Sequence, residues 1–486
     1  MKYKYLLILG FVLFFTVRLI GVGGDITNSD AGRWHRRSEK FLEGLKRGDF
    51  KETYQRYHPG VTLMWINATV KQAAFEYQLT YTETPKTLEN ADYFPVIHGV
   101  SKAAMVVVLG VLLALQVYFL SKLFNSKVAL VYLFLVSFEP YLVGIHRWFH
   151  QTSLETFLAF TSILALLLWY KTGLKKPLIV SAVLLGFSLL AKITTLILGP
   201  VFLAIFVTRL LKTKDLKDLW IFAACTIATI FVFFPALWVA PGYVFSKIYG
   251  AVSGAVSGDI RSELIPLWVQ PFYYLVTLGL KLSPVTLVLG VMSFWNLRKS
   301  KDFTVRIFFL TFVVYYLFFT ITDQKIDRYS IAFFPIILSL AAVYLAKAKL
   351  RVALVWGGLS LAAFGFAVYT YHPVYSAYYS PAFGGTKAAL NLGLYDNSGE
   401  YFAQAASYLN EKGRGINTWV PNGFESFNYY YKGNTQRGYT TDTSFSVQSF
   451  DMTRLNKTSV EDPHCSELVK SFGPRKSPVV FVFGCE

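Results

Sequence analysis

Charge is scarce in this chain. Asp, Glu, Lys and Arg make up 16% of its 486 residues while apolar types reach 54%, and the mean hydropathy is +0.42. So little charge cannot clothe the surface of a soluble protein of 55.0 kDa, and a bilayer is the solvent this composition suits. Cysteine is scarcer still: three residues, with neither CxxC nor paired Cys/His spacing, exclude a disulfide scaffold and a clustered zinc site. Cys225 lies in an apolar run. Cys465 and Cys485 lie in the polar tail, where they form one bridge if the tail is extracytoplasmic or stay as two thiols. Acids are also few, 29 against 47 Lys and Arg, for a formal charge of +18. That excess sits in short loops beside apolar runs, the pattern that orients membrane spans, so nucleic acid is excluded as a partner.

What the chain does have is eleven apolar stretches, at 5–22, 99–121, 128–145, 154–170, 177–192, 195–211, 219–239, 274–297, 303–321, 329–346 and 352–371. Each approaches the ~20 residues a helix needs to cross ~30 Å of hydrocarbon with its backbone hydrogen bonds satisfied. Basic residues occupy alternate gaps: Lys122 and Lys127; Lys171, Lys175 and Lys176; Arg209, Lys212, Lys214 and Lys217; Arg298, Lys299 and Lys301; Lys347, Lys349 and Arg351. By the positive-inside rule these gaps are cytoplasmic. No small-x-small cleavage site follows the first stretch, so it reads as a signal anchor with its N-terminus inside. An odd number of spans then puts the C-terminus outside. The expected architecture is a polytopic α-helical protein of the cell membrane with about 11 spans. Residues 1–371 form its membrane domain, including an extracytoplasmic loop at 23–98. Residues 372–486 form a small extracytoplasmic α/β domain, with helical spacing over 398–411 and β-prone runs at 416–420 and 479–483.

Polar residues gather at one outer face rather than inside the spans, which favours surface chemistry over transport. The first loop passes Asp25 and then runs Ser29-Asp30-Ala31-Gly32-Arg33-Trp34-His35-Arg36-Arg37. An acid so close to the membrane can serve as base or metal ligand while Arg33 and Arg37 neutralise phosphate oxygens; alternatively Asp30 is a helix N-cap and the arginines touch headgroups. His58 precedes a Pro-Gly turn and an aromatic, interfacial stretch. His146 and His150, one helical turn apart by spacing, with Glu155 beyond, suit a divalent metal or simply satisfied hydrogen bonds. Lys192 falls at the outer end of one stretch and calls for a partner, a phosphate or water. Lys325, Asp327, Arg328 and Tyr329 form a compact cluster in which Arg328 suits bidentate phosphate recognition. Asn428-Tyr429-Tyr430-Tyr431 reads either as a sugar-stacking surface or as a buried strand.

In chain order the segments DAGRWHRRSEKF, HPGVTLMW, SLLAKITTLILGP, DQKIDRYSIAFFPIILSLAAVYLA, HPVYSAYYSPAFGG and GEYFAQAASYLNEK resemble the bacterial polyprenyl-phosphate-sugar glycosyltransferases of the GT-C type. That family includes protein O-mannosyltransferases and the lipid A aminoarabinose transferase. The Asp-Arg-Tyr segment with its Phe-Pro and the Tyr-Tyr-x-Pro-x-x-Gly-Gly segment are the most specific parts. The resemblance implies a sugar donor on a polyprenyl phosphate, an extracytoplasmic acceptor, Asp30 as the carboxylate of an inverting transfer, and Lys192 and Arg328 on the lipid phosphate. Two departures stand out: Ala31 and Thr152 occupy positions where the family commonly has acids, with Glu155 one turn beyond Thr152. Metal use is therefore left open. Two other classes remain, a lipid-linked glycan transporter or flippase and an inactive glycan-binding relative.

Overall fold

In the computed structural model, the residues described are 4–23, 28–81, 86–255, 267–322, 325–450, 463–475 and 477–486. Asp25 lies outside them, as do residues 256–266. Among the described residues six helices are long and apolar enough to cross a membrane: Phe94–Leu123, Gln151–Thr172, Ile193–Thr213, Phe303–Ile321, Asp327–Ala346 and Leu350–Tyr371. A seventh span is made if Ser126–Phe138 and Pro140–His146, bent by 73°, are taken together.

The other four expected stretches fall on shorter or broken helices. The described part of the first is Lys4–Leu19, and Lys175–Ala191 and Lys217–Phe233 have 17 residues each. At 1.5 Å per residue the two 17-residue helices rise about 25 Å, at the lower limit of what crosses the hydrocarbon. The 274–297 stretch divides into Tyr273–Lys281 and Pro284–Leu297 because Ser283 caps the second helix, its hydroxyl accepting from the Thr286 N–H, and Pro284 takes the first-turn position. The same punctuation recurs elsewhere. Asn125 caps the helix from Ser126, and Asp302 caps the helix from Phe303.

Gln151–Thr172 is the axis of the bundle. Every residue from Gln151 to Trp169 is buried, and the helix packs on Lys175–Ala191, on Phe94–Leu123 and on the 3-10 turn Asp327–Phe333. Leu350–Tyr371 stands at the periphery, where it buries only Ser360, Phe364, Ala367 and Tyr371.

After the bundle the chain forms a five-stranded mixed sheet, ordered β2-β1-β3-β5-β4, from β1 (Asn417–Trp419), β2 (Asn434–Gln436), β3 (Phe445–Ser449), β4 (Glu467–Phe472) and β5 (Val480–Gly484). β1 pairs in parallel with β2 and β3, while β5 is antiparallel to β3 and β4. Helix Phe402–Lys412 buries Phe402, Ala405, Ala406 and Leu409 and packs on β4 and β5. Cys465 and Cys485 are joined in a disulfide across the outer ends of β4 and β5.

This sheet unit docks on the first loop. Tyr429 stacks on Phe94 with ring centroids 4.2 Å apart and accepts a hydrogen bond from Arg36, which also pairs with Glu425 at 3.2 Å. Contact this close needs Gly32, where a Cβ would lie 2.2 Å from the Tyr429 ring. Tyr430 donates to the Gly23 carbonyl and Tyr431 to that of Ile416. All three tyrosines are buried, as the structural reading of this run expects, but they follow the short helix Phe424–Asn428 in a turn and not in a strand.

Candidate functional site

Three breaks in helical structure deliver the polar side chains. The first precedes helix Ala31–Arg47. Asp30 occupies its N-cap position but makes no side-chain capping bond. Instead its backbone N–H donates to Asn28, and Asn28 donates to the Phe149 carbonyl at 3.4 Å, which ties the loop start to the second break at 147–150. There His150 caps Gln151–Thr172: its Nδ1 accepts from the Thr152 N–H at 3.1 Å and lies 2.9 Å from the Thr152 hydroxyl. An accepting Nδ1 leaves the ring proton on Nε2, and that nitrogen faces Asp30 Oδ2 at 3.5 Å. The third break is the 3-10 turn Asp327–Phe333, from which Arg328 reaches Asp30 Oδ2 at 3.3 Å. Arg33, one turn down the first helix, completes the shell of Asp30 at 3.7 Å.

Asp30 keeps 25% of its side chain exposed, against 16% for Arg328 and 53% for Arg33, so the carboxylate sits at a mouth rather than in the core. Burial alone would raise its pKa. The hydrogen bond from His150 and the charges of Arg328 and Arg33 outweigh burial and hold it well below the usual carboxylate range. For His150, burial pushes the pKa down to about 4 against the pull of Asp30, with Arg328 and Lys192 adding to the depression. At neutral pH the centre therefore holds an ionised Asp30 and a neutral His150.

His58 arrives from the same loop. The Gly60 N–H donates to the Ala191 carbonyl and the Thr62 hydroxyl to that of Phe187, which pins the Pro-Gly turn to the end of Lys175–Ala191, next to Lys192. Gly60 has a φ of +62°, and a Cβ there would fall 2.1 Å from the ring of Trp34; only glycine lets the turn and the first helix meet. Burial depresses His58 to about 2, reinforced by Lys192, His150, Arg56 and Arg328. Arg37 stacks on Trp34 at 4.5 Å. Burial and the neighbouring Arg56 lower it to about 10 while Asp30 opposes them. Arg56 had no place in the sequence reading, although it stands two residues before His58.

Lys192 is buried, 4.2 Å above the ring of Tyr329 and 3.9 Å from Glu155. Glu155 also accepts from Thr194 and, at 3.3 Å, from Thr195. Asp30, Arg33, Arg37, His58, His150, Lys192, Arg328, Glu155 and Tyr329 thus share one region, in which cations outnumber carboxylates. His146 does not join it. It ends helix Pro140–His146, and its Nδ1 accepts from buried Arg18 at 3.0 Å. Asp327 turns the other way, to Lys281 at 2.9 Å, a lysine the sequence reading passed over. The candidate metal set is thereby divided among three partners: His146 on Arg18, His150 on Asp30 and Glu155 on Lys192. Among the described residues no group of three or more His, Cys, Asp or Glu could hold a metal ion, so these residues do not fit one.

No family model matches the sequence, and no curated protein matches it by sequence. By structure the chain is similar to the lipid A aminoarabinose transferase ArnT from Cupriavidus metallidurans, both bound to undecaprenyl phosphate and in the apo state. Each comparison gives a TM-score of 0.50 at 13% identity over 88% of this chain and 75% of that one. The fold is the GT-C fold. An oligosaccharyltransferase from Archaeoglobus fulgidus in the apo form gives a TM-score of 0.48 at 13% identity, covering 90% of this chain and 61% of that one. In this GT-C membrane frame, the charged side chains collect where the first loop, the Gln151–Thr172 N-terminus and the Asp327–Phe333 turn meet.

Proposed function

We propose that the protein is a membrane glycosyltransferase that moves a sugar from a polyprenyl-phosphate carrier to an extracytoplasmic acceptor. The observation that carries this reading is the pairing of a partly open, ionised Asp30 with Arg328, within a surplus of cations. Such a centre suits an anionic carrier lipid next to a hydroxyl or amine that must lose a proton. The structural similarity to ArnT, whose crystal structure holds undecaprenyl phosphate, supports the same carrier class.

In the proposed step the acceptor hydroxyl or amine gives its proton to Asp30 and its oxygen or nitrogen attacks the anomeric carbon. The bond from that carbon to the phosphate oxygen breaks, and polyprenyl phosphate leaves with the electron pair. Attack opposite the leaving group inverts the configuration. The dispersed phosphate charge needs no second carboxylic acid, unlike glycoside hydrolysis. Lys192 and Arg328 would hold the phosphate, with Arg33 and Arg37 at the entrance. Asp30 is a weak base while Arg328 is bound to it. A phosphate that draws Arg328 away would return part of its basicity to Asp30 when the donor is in place, with the His150 contact remaining. The Cys465–Cys485 bridge supports an extracytoplasmic tail, because disulfides persist in oxidising compartments.

The test is incubation of the purified protein in detergent with a polyprenyl-phosphate sugar and candidate acceptors. Release of free polyprenyl phosphate with formation of a glycosylated acceptor is expected. Protein that binds the donor yet releases none with any acceptor would mark a carrier or a binding protein instead.

A further inference from the structure

Lys281 is 1% exposed and Asp327 7%, and the mechanism above uses neither. Their Nζ and Oδ2 atoms are 2.9 Å apart. The Lys281 ammonium also lies 3.5 Å from the ring centre of Tyr379 and 4.5 Å from that of Tyr141, and the Tyr379 hydroxyl is 3.3 Å from the same Asp327 oxygen. Burying a charged pair is costly, and pairs that persist tend to fix a particular arrangement. Here the arrangement concerns the next residue in the chain. Successive residues of a 3-10 turn point about a third of a revolution apart, so Asp327 faces Lys281 while Arg328 faces Asp30. The Asp327 charge nonetheless acts on Arg328. Asp396 also acts on Arg328, but it belongs to the C-terminal segment, whereas Asp327 is the adjoining residue of the same turn and, without its lysine, would be an added competitor for the guanidinium. Glu400, the next acid around Lys281, is already occupied by the Ser376 hydroxyl at 3.0 Å and the Ser398 N–H at 2.6 Å.

We infer that Lys281 is a positioning residue: it sequesters Asp327 and so keeps Arg328 free to alternate between Asp30 and the phosphate of the carrier lipid. The inference rests on the reading of Arg328 as a phosphate ligand given above. It assigns a function to a lysine buried where one helix, Tyr273–Lys281, breaks before the next.

The experiment measures binding of undecaprenyl phosphate and of undecaprenol, which lacks the phosphate, to the full-length protein. Lys281→Met should weaken undecaprenyl phosphate about tenfold, the scale of one charge-assisted contact, and leave undecaprenol unchanged. Lys281→Met/Asp327→Asn, with the unpaired Asp327 carboxylate removed, should recover binding to within about threefold of wild type. If Lys281→Met does not fold, Lys281→Gln, which keeps a donor to Asp327, should show the same direction. Equal losses for both lipids, or a double variant no better than the single one, would overturn the positioning role in favour of plain packing. Arg328→Ala separates this from the parent reading. If it leaves undecaprenyl phosphate binding intact, the phosphate assignment itself is wrong; if it abolishes binding while Lys281→Met does nothing, only the role of Lys281 falls.

Discussion

Asp30 and Arg328 come from opposite ends of the membrane domain and meet at 3.3 Å. Arg328 is thus both one of the groups that, with His150, hold Asp30 ionised and, in the proposed reaction, a ligand of the phosphate that departs. Asp30→Asn keeps the shape and removes the base. Turnover should fall by about 10²–10⁴-fold, the usual contribution of a positioned base, with donor binding kept. Activity assays on the folded variant check this, and undiminished transfer would remove Asp30 from the mechanism.

The two cations proposed for the phosphate should separate kinetically from the base. Lys192 already has Glu155 at 3.9 Å and the face of Tyr329, whereas Arg328 faces Asp30 directly. Lys192→Met is expected to raise the donor KM about tenfold with a smaller effect on kcat. Arg328→Lys, which loses the planar fork, should depress both. Steady-state kinetics at saturating acceptor distinguishes the patterns, and identical behaviour of the two variants would mean that they do not divide the roles in this way.

Much of this site was legible from residue order. An acid straight after an apolar run and followed by Arg-Trp-His-Arg-Arg is where an interfacial site would be sought, and Asp-Arg-Tyr between two apolar runs marks a break in the bundle. His146 misled because one-turn spacing assumes a continuous helix. The chain instead ends one helix at His146 and starts the next after His150, so the two rings point to different neighbours. Lys281 was hidden inside the apolar 274–297 stretch, although Ser283-Pro284 signalled the break that buries it. The count of eleven spans came from hydropathy alone, which does not register where a cap and a proline divide a stretch, as Ser283 and Pro284 divide 274–297; six or seven of the eleven are matched among the described residues.

Two buried groups outside the spans should give stability opposite dependences on pH. Burial lowers His150 from an ordinary 6.5 to about 4, so the folded state refuses a proton that the unfolded chain accepts. Its contribution is present above pH 6.5 and lost as pH falls towards 4. Burial raises Glu400 from 4.5 to about 7. That group costs stability progressively as pH climbs from 4.5 to 7. Glu400→Gln is therefore expected to raise the melting temperature at pH 8 relative to wild type and to shift it less near pH 4.5. Thermal melts across pH 4–8 test the sign; a Glu400→Gln profile parallel to wild type would show that Glu400 does not titrate in this range.

Gly32→Ala would ordinarily help an exposed helix by about 1 kcal/mol. In this protein it is expected to hurt, because the added Cβ would stand 2.2 Å from the Tyr429 ring and Tyr429 is held by Phe94 and Arg36. Limited proteolysis should show the C-terminal sheet unit loosened from the first loop. Tyr429→Leu in the same background should partly restore resistance by vacating the ring edge. A Gly32→Ala protein as resistant as wild type would mean that the contact has slack.

The Cys465–Cys485 bridge closes a loop with a sequence separation of 20 at the ends of two antiparallel strands, where fraying of β4 from β5 would begin. Cross-linking a loop of that size restricts the unfolded chain by about 3 kcal/mol in the chain-entropy account. Because β5 also pairs with β3, loss of the bridge should open the β4 edge first and leave the centre of the sheet paired. Reduction, or Cys465→Ser with Cys485→Ser, is thus expected to make the segment around β4 sensitive to protease while the membrane helices keep their melting temperature. Non-reducing mass spectrometry of protein from an oxidising compartment establishes the bridge, and proteolysis with and without reductant measures its effect. A wholly reduced pair in native protein would argue against an extracytoplasmic tail, and with it against an acceptor that approaches from outside.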